Sequence, residues 1–185
     1  MQRKTLSTTL AAAALSSILA ACASAPMMAS MYDQTPLPDA VKVPAGNKVA
    51  METVGVGEIT YECRDKKDAA GQYEWVFVGP DAALNDRSGK KMGKYFGPPA
   101  TWESMDGSKF TGTQVAVSPS GAGNIPMQLV KANAAMGAGA MTGVTYVQRV
   151  STRGGTAPAL ACDAGGKGKK EIVKYQADYI FYKAS

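Results

Sequence analysis

Beyond residue 45, hydrophobic and polar residues alternate with a period of two along most of the chain. Ile59, Tyr61 and Cys63 alternate with Thr60, Glu62 and Arg64. The last stretch is the clearest: Val173, Tyr175, Ala177, Tyr179 and Phe181 share one face, Lys174, Gln176 and Asp178 lie opposite, and Ile172, Ile180 and Tyr182 stand at the ends. That period belongs to a strand with one face in a core. Tyr73 to Val78 is aromatic and β-branched on both faces, which predicts a strand central to a sheet stack. Lys90 to Phe96 reads as a return strand after the turn residues Asn85 to Gly89. Lys109 to Val117 follows the Asp106-Gly107 turn as a hairpin arm, with Thr111, Thr113, Val115 and Val117 on one face. Thr142 to Thr152 sets Val144, Tyr146, Gln148 and Val150 against Thr145, Val147 and Arg149. Ile125 to Ala135 starts as a strand and is open to helix later, although Gly137 and Gly139 argue against a long one. Short strands between Gly and Pro turns predict one all-β domain over residues 45–185, an antiparallel β-sandwich or barrel-like fold.

The first 44 residues show no such periodicity. Arg3 and Lys4 precede an uncharged, Ala- and Leu-rich run from Thr5 to Ala21, the pattern of a cleaved signal helix over residues 1–21. Leu19-Ala20-Ala21-Cys22 resembles the lipobox of bacterial lipoproteins, which implies that Cys22 is acylated and becomes the new N-terminus. Cleavage after Ala25 is the competing reading, opposed by Pro26, which lacks an N–H at the cut. Ala23, where an aspartate would hold a lipoprotein at the inner membrane, favours the outer membrane facing the periplasm if the source has two membranes. Residues 22–44, with Pro26, Pro36, Pro38 and Pro44, read as the lipid anchor and a disordered tether. The expected localisation is the cell envelope.

Without residues 1–21, 164 of the 185 residues remain, one domain's worth, and losing Arg3 and Lys4 lowers the net charge from +5 to +3. That excess is too small to indicate a nucleic-acid partner. Once Cys22 carries lipid, Cys63 and Cys162 are left, and in an oxidising compartment they are expected to pair across a loop of about 100 residues; two separate buried thiols are the alternative. No Cys-x-x-Cys motif supports redox catalysis.

The chain contains no histidine, which removes His-activated serine or cysteine nucleophiles and the commonest zinc and copper ligand. No glycine-rich nucleotide loop occurs, so neither a cofactor nor a metal is expected. Ser88-Gly89-Lys90-Lys91 has the Ser-x-x-Lys spacing but lies in a turn without its companion motifs. Gly165 to Lys170 reads as a hairpin linker, or as a basic loop for anionic headgroups or polysaccharide. The richest cluster runs from Tyr95 to Gly107. Its rings Tyr95 and Trp102 and carboxylates Glu103 and Asp106 are what a sugar-binding cleft, or a glycosidase with an acid and base pair, would use. The other reading is a rigid proline corner with Trp102 buried and Asp106 capping a turn.

Blocks along residues 45–183 carry a resemblance. Ile59-Thr60-Tyr61-Glu62-Cys63-Arg64, then Gly97-Pro98 with Thr101-Trp102-Glu103 and Asp106-Gly107-Ser108, then Val144 to Arg149 with Gly154 to Pro158 and Cys162-Asp163, then Tyr175 to Tyr182, together resemble the domain-of-unknown-function family DUF 3455. The resemblance implies a domain and transfers no catalytic residue. Relatives usually carry histidine where this chain has Lys94-Tyr95. The sequence therefore leads to a binding or scaffolding domain of the envelope, held to the membrane by its N-terminal lipid, with a polysaccharide or an envelope protein as partner. The alternative is a carboxylate-dependent enzyme acting on an envelope glycan.

Overall fold

The structure is a computed structural model that describes residues 32–185. Eight antiparallel strands follow one another as a meander: β1 (Asn47–Asp65), β2 (Tyr73–Asn85), β3 (Lys91–Phe96), β4 (Thr101–Ser104), β5 (Lys109–Ser118), β6 (Met127–Ala132), β7 (Val144–Gly154) and β8 (Lys170–Ala184). Each pairs with its neighbour in sequence, and β8 returns to β1, closing a barrel. Of the two architectures expected, the barrel is the one formed. Closure removes the open edges that a sandwich would leave. The segment after Ile125 is strand β6, and the described residues contain no helix longer than the 3-10 turn Asp39–Val41.

An eight-stranded barrel is just wide enough for side chains to fill it, and aromatic residues fill this one. Tyr95, Trp102 and Phe110 face one another in register across β3, β4 and β5. Their rings stack at 4.6 Å and 5.3 Å between centroids, and Tyr179 and Phe181 of β8 close on them edge-on or tilted. Leu84, Met141 and Val147 complete this buried cluster.

The faces of three strands depart from plain alternation. A bulge between Val144 and Tyr146 turns Val144 and Val147 inward together, and leaves Tyr146, Gln148 and Val150 on the outer wall. A bulge at Val115 leaves both Val115 and Val117 exposed rather than on a common buried face. The first half of β2 pairs with β1 alone, since β3 reaches only from Asp81 to Asn85, so Phe77 is exposed and the stretch is not central in a stack.

The expected tether also ends earlier than residue 44. Residues 32–44 lie on the outside of β6, β7, β8 and β1 as a strap. Val41 (0% exposed) and Val43 are buried there against Leu129, Val150, Ile180 and Tyr182. Outward-facing apolar residues on β8 needed a cover, and the strap is it. A polar lock fixes its register: the buried Gln148 donates to Val41 O (2.6 Å) and Gln34 Oε1 (3.1 Å) and accepts from the Tyr182 hydroxyl (2.7 Å). Gln34 in turn accepts from the Val43 N–H at 2.8 Å. The signal segment 1–21, the lipobox with Cys22 and the tether up to Met31 lie outside the described residues.

Candidate functional site

Cys63, at the far end of β1, and Cys162, in the β7–β8 loop, are joined by a disulfide with 5.5 Å between their Cα atoms. The bridge pins the longest loop of the barrel against β1. The Cys63 N–H donates to Lys169 O and the Gly168 N–H to Cys63 O, so β8 enters the sheet directly below the bridge. Trp75 Nε1 holds the same loop through Leu160 O at 2.8 Å.

The four residues singled out near the proline corner do not form a cleft. Trp102 is 1% exposed and Tyr95 5% exposed, both inside the barrel. Trp102 Nε1 is buried without a hydrogen-bond partner. Burial is the first cause that raises the Tyr95 phenol above its usual pKa.

Asp106 closes the β4–β5 turn. Its Oδ1 accepts from the Ser108 hydroxyl (2.6 Å) and N–H (2.9 Å), and its Oδ2 from the Ala140 N–H (2.7 Å). A Cβ at Gly139 would collide with this carboxylate, so the β6–β7 loop approaches it only as glycine. Those hydrogen bonds, Ser108 first, lower its pKa to about 2. Such a group releases its proton far below neutrality and is a poor general acid there.

Glu103 stands on the outer wall between its register neighbours Lys94 (3.4 Å) and Lys109 (3.8 Å). A ring platform with two carboxylates above it is therefore absent from this corner.

A different surface is concave. An opening of about 730 Å³ lies across four adjacent strands, lined by Val56, Gly57 and Glu58 of β1, Asp81 of β2, Arg153 and Gly154 of β7, and Lys174, Tyr175 and Gln176 of β8. Its shape follows from backbone irregularities. A bulge at Val78, between the Thr60–Gly79 and Tyr61–Phe77 pairs, bends β2 along β1, and one between Val150 and Arg153 re-aims the end of β7. Gly154 has φ +68°, and a Cβ there would press on Lys174 O.

Register sets the chemistry of this surface. Glu58 faces Asp81 on one side and Lys174 on the other, and Gln176 lies between Val56 and Arg153. Among the described residues Glu58, Asp81, Arg153 and Lys174 form no ion pair. Val56 (48% exposed) leaves apolar surface in their midst. The patch thus offers an acidic side, a basic side, an amide and an apolar floor, all on rigid strands. Such a set suits recognition of a polar ligand with some apolar surface.

Sequence reasoning did not find this site. Alternation places Lys174 and Gln176 on the outer face, but only register brings them beside Glu58, Asp81 and Arg153.

The chain matches the family described as "Protein of unknown function (DUF3455)" over residues 44–183, and it belongs to that family. Comparison with curated proteins and with solved structures gives no match.

Proposed function

We propose that the protein is a lipid-anchored binding or scaffolding domain of the cell envelope, which uses the concave face of β7, β8, β1 and β2 to hold an envelope polysaccharide or protein. The observation that carries the reading is the four charges around Val56 that make no ion pair among the described residues, since surface charges of both signs in that state are available to a ligand. Compartment rests on the sequence and is supported by the Cys63–Cys162 bridge, a cross-link that persists in oxidising surroundings. Attachment through acylated Cys22, on the periplasmic side of an outer membrane where the source has one, agrees with Leu19-Ala20-Ala21-Cys22. The enzyme reading loses support where it had been placed, because Asp106 is spent on a turn and Trp102 lies in the core.

The test is chemical-shift mapping of the mature chain against soluble peptidoglycan fragments and fractionated envelope extract. Shifts should centre on Val56, Glu58, Lys174 and Gln176, and Val56→Glu combined with Lys174→Glu should weaken binding at least tenfold. Shifts confined to other surfaces would refute the site. Glycan turnover by the wild type that disappears in Glu103→Gln would replace binding by catalysis. Intact mass of membrane-extracted protein checks the anchor: a diacylglyceryl addition on Cys22 is expected, and an unmodified start at Pro26 contradicts it.

A further inference from the structure

Strand β2 carries an open edge where the barrel wall is unfinished. Asp81 to Asn85 pair with β3, but Tyr73 to Val78 have β1 alone beside them, because the chain turns back between β3 and β4 at Gly97 to Ala100. Main-chain hydrogen bonds fix which groups this leaves without a partner strand. Cys63 spends its N–H and C=O on Lys169 and Gly168, on the β8 side, while the Lys66 N–H donates to Gln72 O on the β2 side. Successive residues of a strand turn these groups to opposite edges. Glu62 and Arg64 therefore bond to Val76 and Glu74, and Tyr73, Trp75 and Phe77 aim their N–H and C=O groups off the open edge. No backbone hydrogen bond from another segment reaches them among the described residues. Leu160 O does hold the Trp75 indole, but on the core side of the sheet rather than along the edge. Exposed edges are ordinarily blunted by lysine or proline. Tyr73-Glu74-Trp75-Val76-Phe77-Val78 has neither, and Glu74 is its single charge. The stretch is apolar toward both faces, the composition of a strand inside a sheet rather than at its border. The edge of β5 beyond Gly112 also lacks β4 beside it, but a bulge at Val115 breaks its register.

We infer that a second copy of this chain occupies this edge, β2 against β2 and antiparallel, about a two-fold axis at Trp75. In that register Tyr73 of each copy faces Phe77 of the other, and the two Trp75 residues face each other. All three outward-aimed residues then exchange main-chain hydrogen bonds. On the core side of the sheet aromatic residues oppose aromatic residues, which is a favourable cross-strand pairing. On the outer side Glu74 lies opposite Val76, so no carboxylate meets its own copy. Just past the bulge at Val78 the edge ends, since a Cβ on Gly79 would collide with Gly97 O. The axis stands perpendicular to the joined sheet, so the outer walls of both copies look the same way.

The experiment uses the mature chain with Cys22→Ser, so that neither lipid nor a free thiol joins the copies. Sedimentation equilibrium should show monomer and dimer in a ratio that shifts with concentration. Phe77→Pro removes an N–H that β1 does not use, and with it two hydrogen bonds of the dimer. The chain should still fold cooperatively, and dimerisation should weaken by about tenfold or more. Val117→Thr, which trims another exposed apolar side chain, on β5, should leave the equilibrium unchanged. A second readout does not depend on the proline variant. An equal mixture of Glu74→Cys and Val76→Cys chains should form a disulfide-linked dimer on mild oxidation in greater yield than either chain alone, because those positions come to about 4.5 Å between Cα atoms. A monomer up to millimolar concentration, a dimer that folded Phe77→Pro leaves intact, or cross-linking no better in the mixture than in the single chains would overturn the inference.

Discussion

Shortening Val41 to alanine tests whether the segment ahead of the barrel belongs to the fold. Its side chain is wholly buried among Leu129, Val150, Ile180 and Tyr182. Removing two carbons forfeits about 1.6 kcal/mol of transfer free energy at roughly 0.8 kcal/mol each. A residual cavity of up to about 50 Å³ adds about 1 kcal/mol. The expected loss is about 1.5–3 kcal/mol, a fall in Tm of roughly 3–10 °C for a domain of this size. The strap can also lift while the barrel stays closed, so two readouts are needed. Urea denaturation reports global stability at constant slope, and hydrogen exchange at the Val43 N–H, held by Gln34 Oε1 at 2.8 Å, reports strap release. Exchange there should speed up roughly 10- to 100-fold in Val41→Ala, since about 1.4 kcal/mol is tenfold. A solvated tether would give less than about 0.5 kcal/mol and no protection at Val43 in the wild type. Either result would refute the strap.

Replacing Cys162 by serine should cost about 2–4 kcal/mol, toward the upper part of that range because the bridge spans 99 residues of sequence; unfolding midpoints with and without reductant check this, and equal midpoints for wild type and variant contradict it. Asp106→Asn bears on pH. Because hydrogen bonds lower the folded pKa of Asp106 to about 2, its contribution to stability is fully present above the unfolded value near 4 and is lost as pH falls through about 2. The stability gap between wild type and Asp106→Asn should therefore shrink between pH 4 and pH 2 in acid titrations followed by circular dichroism, and a gap that widens there would show that the carboxylate is not held by Ser108 and Ala140.

Period-two alternation made the strands legible because a barrel wall has an inside and an outside, and β8 keeps that division through Val173, Tyr175, Ala177, Tyr179 and Phe181. It failed where the wall has a second apolar layer. Ile180 and Tyr182 looked like strand-end residues, yet they are the seat for Val41 and Val43, and the strap that covers them is proline-rich and lacks periodicity. A segment that binds through two valines and a glutamine lock has too few contacts to leave a pattern. Bulges were the other blind spot, since each shifts every later residue of its strand to the opposite face. One such shift, in β7, sends Gln148 outward to the strap, and the next aims Arg153 toward Lys174. Trp102 shows the limit at the level of a site. Rings beside carboxylates read as a sugar platform, but a short strand with Tyr95 and Phe110 as its register neighbours has only one wide apolar space for an indole, the interior of the barrel. The carboxylates were left outside for turn closure and cross-strand lysines. What the sequence did not show is thus what the closed sheet creates: the neighbours of Glu58 and the open edge at Trp75 are set by register and strand length alone, and there the surface chemistry of this family member is concentrated.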